Sequence, residues 1–74
     1  MNTYVITMES GDTMLMDVDL TQASSPIRYC AVPEEYEWAH TGYQTADAGH
    51  DPMRAAKLVM RDELDAGDAI ASVV

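Results

Sequence analysis

The chain has 74 residues and a mass of 8.1 kDa, a size that predicts a single domain over residues 1–74. Thirteen acidic residues against four Lys and Arg give a formal net charge of −9. This charge argues against direct binding of nucleic acid or anionic lipid, because both need clustered bases. The length leaves no room for separate cofactor and substrate domains, and no apolar run approaches the ~20 residues that span a bilayer. The absence of a secretory signal pattern and the single cysteine, Cys30, predict a cytoplasmic protein.

The acidic residues are concentrated in the first two thirds of the chain. Residues 1–50 carry eight Asp and Glu and one base, Arg28, whereas residues 51–74 carry five acids and three bases. A surface of one sign favours long-range attraction of an oppositely charged partner, whereas solubility alone favours mixed charges. The distribution therefore indicates a basic partner.

Two N-terminal segments with period-two alternation predict an antiparallel hairpin. A three-residue loop over residues 10–12, with Glu9 paired to Thr13, keeps all the apolar positions on one face, whereas a two-residue loop mixes apolar and acidic positions. The apolar positions are Tyr4, Ile6, Met8, Met14, Met16 and Val18.

Three further short strands are predicted over residues 27–32, 42–46 and 69–74. Between the first two, residues 33–40 read either as one helical turn that begins at Pro33 or as an irregular acidic loop.

The clearest predicted element is a helix over residues 51–66. Asp51 suits the N-cap, Pro52 the first helical position and Gly67 the left-handed position after the last turn. The apolar residues share a broad arc, with three bases in a stripe beside it. These elements predict an α+β fold, in which one helix packs on one face of a small, mainly antiparallel sheet. The apolar arc comprises Met53, Ala55, Ala56, Val59, Met60, Leu64 and Ala66, and the bases are Arg54, Lys57 and Arg61.

Few residues suggest catalysis or metal binding. Asp17 and Asp19 lie two apart on a predicted strand and could act as general acid and base, but solvated carboxylates on an outward face are the simpler interpretation. The pair His50-Asp51 has only His40 as a further histidine, and Asp51 already suits a helix cap. Cys30 is interpreted as a small buried residue on a strand. The sequence therefore predicts no enzymatic activity, no cofactor and no metal.

The acidic residues are the feature that most favours a function. Asp17 and Asp19 are predicted on the solvent face of the hairpin, and Glu9 and Asp12 near its tip. Carboxylates on a rigid sheet can bind Arg and Lys side chains in place of DNA phosphates, and neighbouring aromatic rings can anchor the contact. The alternative is a plain acidic surface. The predicted partner-binding residues are Glu9, Asp12, Asp17, Asp19, Glu34, Glu35, Tyr36, Glu37 and Trp38.

In size, acidity and layout, the chain resembles the small phage-encoded anti-CRISPR proteins, several of which are acidic DNA mimics. The resemblance covers the whole chain in composition and includes no diagnostic motif, so it assigns no role to any single residue. It implies an inhibitor that binds the basic DNA-binding surface of a type I CRISPR effector complex in the bacterial host cytoplasm. The chain is also similar to antitoxins of the HicB family, which cap a basic RNA-cleaving toxin, although their usual DNA-binding segment is missing here.

Overall fold

Five strands form one antiparallel sheet in the computed structural model, which describes residues 2–31 and 37–74. The sheet order is β4-β3-β2-β1-β5, and a 3-10 helix and two α-helices connect β4 to β5. The predicted α+β fold, with helix on one face of a small antiparallel sheet, is confirmed. The elements are β1 (Asn2–Met8), β2 (Thr13–Val18), β3 (Pro26–Ala31), β4 (Ala39–Gln44), the 3-10 helix (Thr45–Ala48), α1 (Pro52–Val59), α2 (Arg61–Asp65) and β5 (Ile70–Val73).

The β1–β2 hairpin has the predicted faces but not the predicted register. Thr13 pairs with Thr7 and not with Glu9, because the Met8 N–H donates to the Asp12 carbonyl at 2.8 Å and closes the loop over residues 9–11. Gly11 is the last loop residue and has φ of 99°. A three-residue loop needs a left-handed residue at this position, and glycine adopts that conformation without steric cost. Since the shift is two residues, every side chain stays on its predicted face.

The hydrophobic core lies between the sheet and the helices. The apolar face of the hairpin contacts α1 and Met60, the residue that follows α1. Tyr4, Met14 and Leu64 are only partly buried at the margin of this core. The fully buried set is Ile6, Met8, Met16, Val18, Ile27, Ala48, Ala55, Ala56 and Met60.

The predicted helix over residues 51–66 is interrupted. It divides at Met60, whose φ of −94° and ψ of 19° separate α1 from α2. The predicted start is confirmed, because the Asp51 carboxylate accepts the Arg54 N–H at 3.1 Å and Pro52 occupies the first turn. Two residues of the predicted apolar arc are exposed: Met53 lies in the first turn of α1, beside β5, and Ala66 lies after the last residue of α2. Neither α1 nor α2 has the length and hydropathy of a membrane-spanning segment.

The chain leaves the sheet after Gln44, two residues before the predicted end of the fourth strand. The buried Thr45 hydroxyl accepts the Ser25 N–H at 3.1 Å and donates to the Gln22 carbonyl at 3.2 Å. These bonds join the connector before β3 to the 3-10 helix and explain why β4 stops at Gln44. Half of the predicted turn or loop over residues 33–40 lies outside the described residues, and β4 already includes Ala39 and His40.

Candidate functional site

Asp17 is on the predicted sheet face, opposite the helices, but its predicted exposure is wrong. It is only 5% exposed and forms an ion pair with Arg28, its cross-strand neighbour on β3. Directly opposed side chains on adjacent antiparallel strands lie within contact distance, and this pair has opposite charges. A carboxylate that is buried and already paired is not available to a partner. Asp17 is therefore a structural residue.

Asp19 does not share a strand with Asp17, because β2 ends at Val18. Its carboxylate accepts the Thr21 hydroxyl at 2.6 Å and the Thr21 N–H at 3.0 Å, and so stabilises the turn after β2. These two hydrogen bonds lower the pKa of Asp19 below its ordinary value. The two aspartates therefore do not form the carboxylate pair that their spacing suggested.

Two acidic regions that are distant in sequence meet at one end of the molecule. The Glu9 N–H donates to the Ala69 carbonyl at 2.7 Å, and the Ser10 hydroxyl donates to the Asp68 carboxylate at 2.6 Å. Asp12 and Glu63 line one cleft of about 330 Å³ between the hairpin loop and the helices. We call this group of carboxylates the acidic end. It comprises Glu9 and Asp12 at the tip of the hairpin, Glu63 from α2, and Asp68 from the segment after α2.

The carboxylates of the acidic end are not paired with a base of the described residues. Within residues 2–31 and 37–74, none of the four forms an ion pair. The bases of the helices are directed elsewhere: Arg61 donates to the Tyr43 hydroxyl at 2.9 Å beside β4, and Lys57 lines a groove beside β5. The charges of the acidic end therefore repel one another and are open to a cationic partner.

Asp68 connects the two halves of the acidic end. The Ser10 hydroxyl is the main cause that lowers the pKa of Asp68 below its ordinary value of 3.8, and the Ala69 N–H adds to it. Because the ionised carboxylate is the favoured form in the folded protein, this contact stabilises the fold above that ordinary value. The stabilisation is lost as the pH falls through the lowered pKa.

We therefore expect Ser10→Ala to lower the free energy of unfolding near neutral pH and to have less effect in acid. Urea unfolding of both proteins at about pH 6 and about pH 2.5 measures the difference, since these values lie on either side of the pKa of an aspartate. An equal loss at both pH values would show that the Ser10–Asp68 contact does not depend on the ionised carboxylate.

Two of the other predicted partner-binding residues lie directly before β4. Glu37 is exposed and Trp38 is partly buried. The strand pairs Ala31–Met14 and Ala39–Tyr29 place this segment at the same end of the sheet as the hairpin loop, two strands away from it. Glu34, Glu35 and Tyr36 lie outside the described residues.

Asp68 and Glu63 were not predicted as neighbours of the hairpin loop. They are more than fifty positions away from Asp12 along the chain, and only the packing of α2 and β5 against β1 and β2 brings them together. The crowding of Asp62, Glu63 and Asp65 near the end of the predicted helix, against the helix dipole, was the one available signal.

The chemistry of the described site is that of an anionic surface. No group of three or more His, Cys, Asp and Glu residues in this part of the chain is arranged to hold a metal ion. Cys30 is buried on β3, as predicted. Neither a protein family nor a curated protein or a solved structure matches the chain.

Proposed function

We propose that the protein is an acidic inhibitor that binds the basic nucleic-acid-binding surface of another protein, where its carboxylates take the place of phosphates. The observation that carries the proposal is the acidic end: four carboxylates from two distant parts of the chain, with no base paired to them in the described structure. Carboxylates and phosphates both accept charge-assisted hydrogen bonds from Arg and Lys. The net charge of −9 adds long-range attraction to a basic surface.

The backbone around the acidic end supports this role because it is held by hydrogen bonds before any partner arrives. The hairpin loop is closed by the Met8–Asp12 bond, and Asp68 is held by Ser10. The N–H of Asp68 also donates to the Glu63 carbonyl at 3.0 Å. Preorganised anions lose less conformational entropy on binding than carboxylates on a flexible loop.

The partner that we propose is a type I CRISPR effector complex, whose DNA channel is lined with Lys and Arg. The support is the small size, the acidity and the charge distribution, which resemble those of acidic anti-CRISPR proteins. A basic RNA-cleaving toxin is the other partner with the required charge, and the same assay distinguishes the two.

The test measures binding to purified type I effector complexes and to a basic ribonuclease toxin, at about 50 and about 300 mM salt. We expect the protein to bind an effector complex with an affinity that falls several-fold over this range, because salt screens the charges of the acidic end. Double-stranded DNA should displace the protein, because the phosphates and the carboxylates bind the same basic surface. Binding to the toxin alone would favour an antitoxin. Binding without salt dependence, or simultaneous binding of DNA and inhibitor, would contradict charge mimicry.

A further inference from the structure

A second surface of the molecule is apolar, in contrast to the acidic end. Among the described residues, three large hydrophobic side chains are exposed: Val74 at 76%, Val5 at 37% and Met53 at 37%. All three surround β5. Val5 and Val74 exchange two backbone hydrogen bonds, of 2.7 and 3.1 Å, so they lie side by side on the outer face of the sheet. Met53 lies on the helix side, where it lines a groove of about 380 Å³ with Leu64 and Ile70.

β5 is also an open edge of the described sheet. The N–H and C=O of Val74 both bond to Val5, so in the alternating antiparallel pattern those of Val73 point away from β1. Edge strands are commonly blocked by Lys, Pro or a bulge. The segment 69–74 has no charged side chain and no proline, and its one protective feature is a bulge at Ala71, which is left without a partner on β1. The bulge lies two residues before Val73, whose N–H and C=O stay directed away from β1. At the other edge, Gly42 interrupts β4 with φ of 84°.

We propose that this edge binds a second copy of the chain through antiparallel pairing of the two β5 strands. The charges beside β5 favour a second copy of the chain over a basic partner. The groove beside β5 contains Lys57 and no acidic residue, so it offers nothing to the basic partner that the acidic end would attract. A second copy presents the same uncharged strand and the same exposed apolar side chains, as a two-fold interface requires.

The antiparallel arrangement also separates the charges of the two copies. Asp68 precedes β5, and Val74 follows it. In an antiparallel pair, the Asp68 end of one strand lies beside the Val74 end of the other. The two acidic ends therefore lie at opposite ends of the interface, where their mutual repulsion is smallest and most easily screened.

The area of the apolar surface around β5 limits the expected affinity of the dimer. A stable interface buries about 800 Å² on each partner, which is a large fraction of the 4457 Å² that this chain exposes. Four residues of strand cannot supply that area without the groove and the flanking Val5, Val74 and Met53 side chains. We therefore expect a dimer that dissociates on dilution and that is favoured by salt, because salt screens the repulsion between two negative copies.

The experiment compares two variants by analytical ultracentrifugation over a range of protein concentrations, at about 50 and about 300 mM salt. Ala71→Lys places a charge on the exposed edge, and Ala46→Lys places the same charge on the exposed 3-10 helix. Both variants reduce the net negative charge by one, so general electrostatics predicts slightly tighter dimers for both. Pairing at β5 predicts that Ala71→Lys weakens the dimer at least tenfold and that Ala46→Lys does not.

The outcomes separate clearly, provided that circular dichroism shows both variants folded. A wild-type protein that is monomeric at all concentrations would overturn the proposal, as would an Ala71→Lys variant that dimerises like wild type. Hydrogen exchange is a second readout: the Val73 amide should exchange more slowly as the protein concentration rises. Since salt should tighten this dimer and weaken binding to a basic target, failure of one proposal does not imply failure of the other.

Discussion

Replacing Asp17 with Ala should lower the free energy of unfolding by about 3 kcal/mol, because it removes the carboxylate that pairs with the Arg28 guanidinium inside the protein. The value lies at the low end for breaking a buried ion pair, since the Arg28 side chain is 25% exposed and keeps some contact with water. Urea unfolding measures the change directly.

Asp19→Ala is the matched control for this prediction. It removes the same group two positions away, from an exposed carboxylate that bonds only within its own turn, so its effect on stability should be much smaller. A double-mutant cycle with Arg28→Ala should give a coupling energy of at least about 1 kcal/mol between Asp17 and Arg28. Equal losses for the two aspartates, or a coupling near zero, would show that the ion pair does not stabilise the sheet.

Local patterns in the sequence predicted the elements and the faces of this fold well. The alternation in the hairpin assigns every side chain of β1 and β2 to its observed face, because the period of a strand is two residues whatever the register. Asp51 and Pro52 locate the start of α1, and Gly67 marks the end of α2 with φ of 99°. These signals depend on neighbours in sequence, so they can be read without knowledge of tertiary contacts.

Features that depend on tertiary contacts were not predictable in the same way. The burial of Asp17 requires Arg28 to stand opposite it, which follows only from the β2–β3 register. The break at Met60 was not predictable, because the apolar residues keep the same helical period on both sides of it and Met60 itself is buried in the core, as the period predicts. The acidic end requires Asp68 to meet Ser10 across fifty-eight positions of the chain. The predicted exposure of Asp17 was therefore wrong, whereas Glu9 and Asp12 are exposed near the tip of the hairpin.

The second large effect that we expect is a loss of affinity for the basic target when carboxylates of the acidic end are removed. Asp12→Asn combined with Glu63→Gln removes two charges that line one cleft, whereas Asp19→Asn combined with Asp47→Asn removes two charges from separate turns. Truncating a carboxylate that becomes buried against a basic partner costs roughly 2–5 kcal/mol, whereas a charge at the rim mainly changes the association rate. The first double variant should therefore weaken binding to the basic target at least tenfold more than the second.

Both double variants keep the size of the side chains, and Asn can still accept the hydrogen bonds of Thr21 and Gln44 that Asp19 and Asp47 now accept. The fold should survive in each case, so a change in affinity measures recognition and not unfolding. If the two variants lose affinity equally, net charge alone attracts the partner and the acidic end has no special role. If neither loses affinity but Trp38→Ala does, the partner binds the segment before β4, and the carboxylates of the acidic end lie outside the interface.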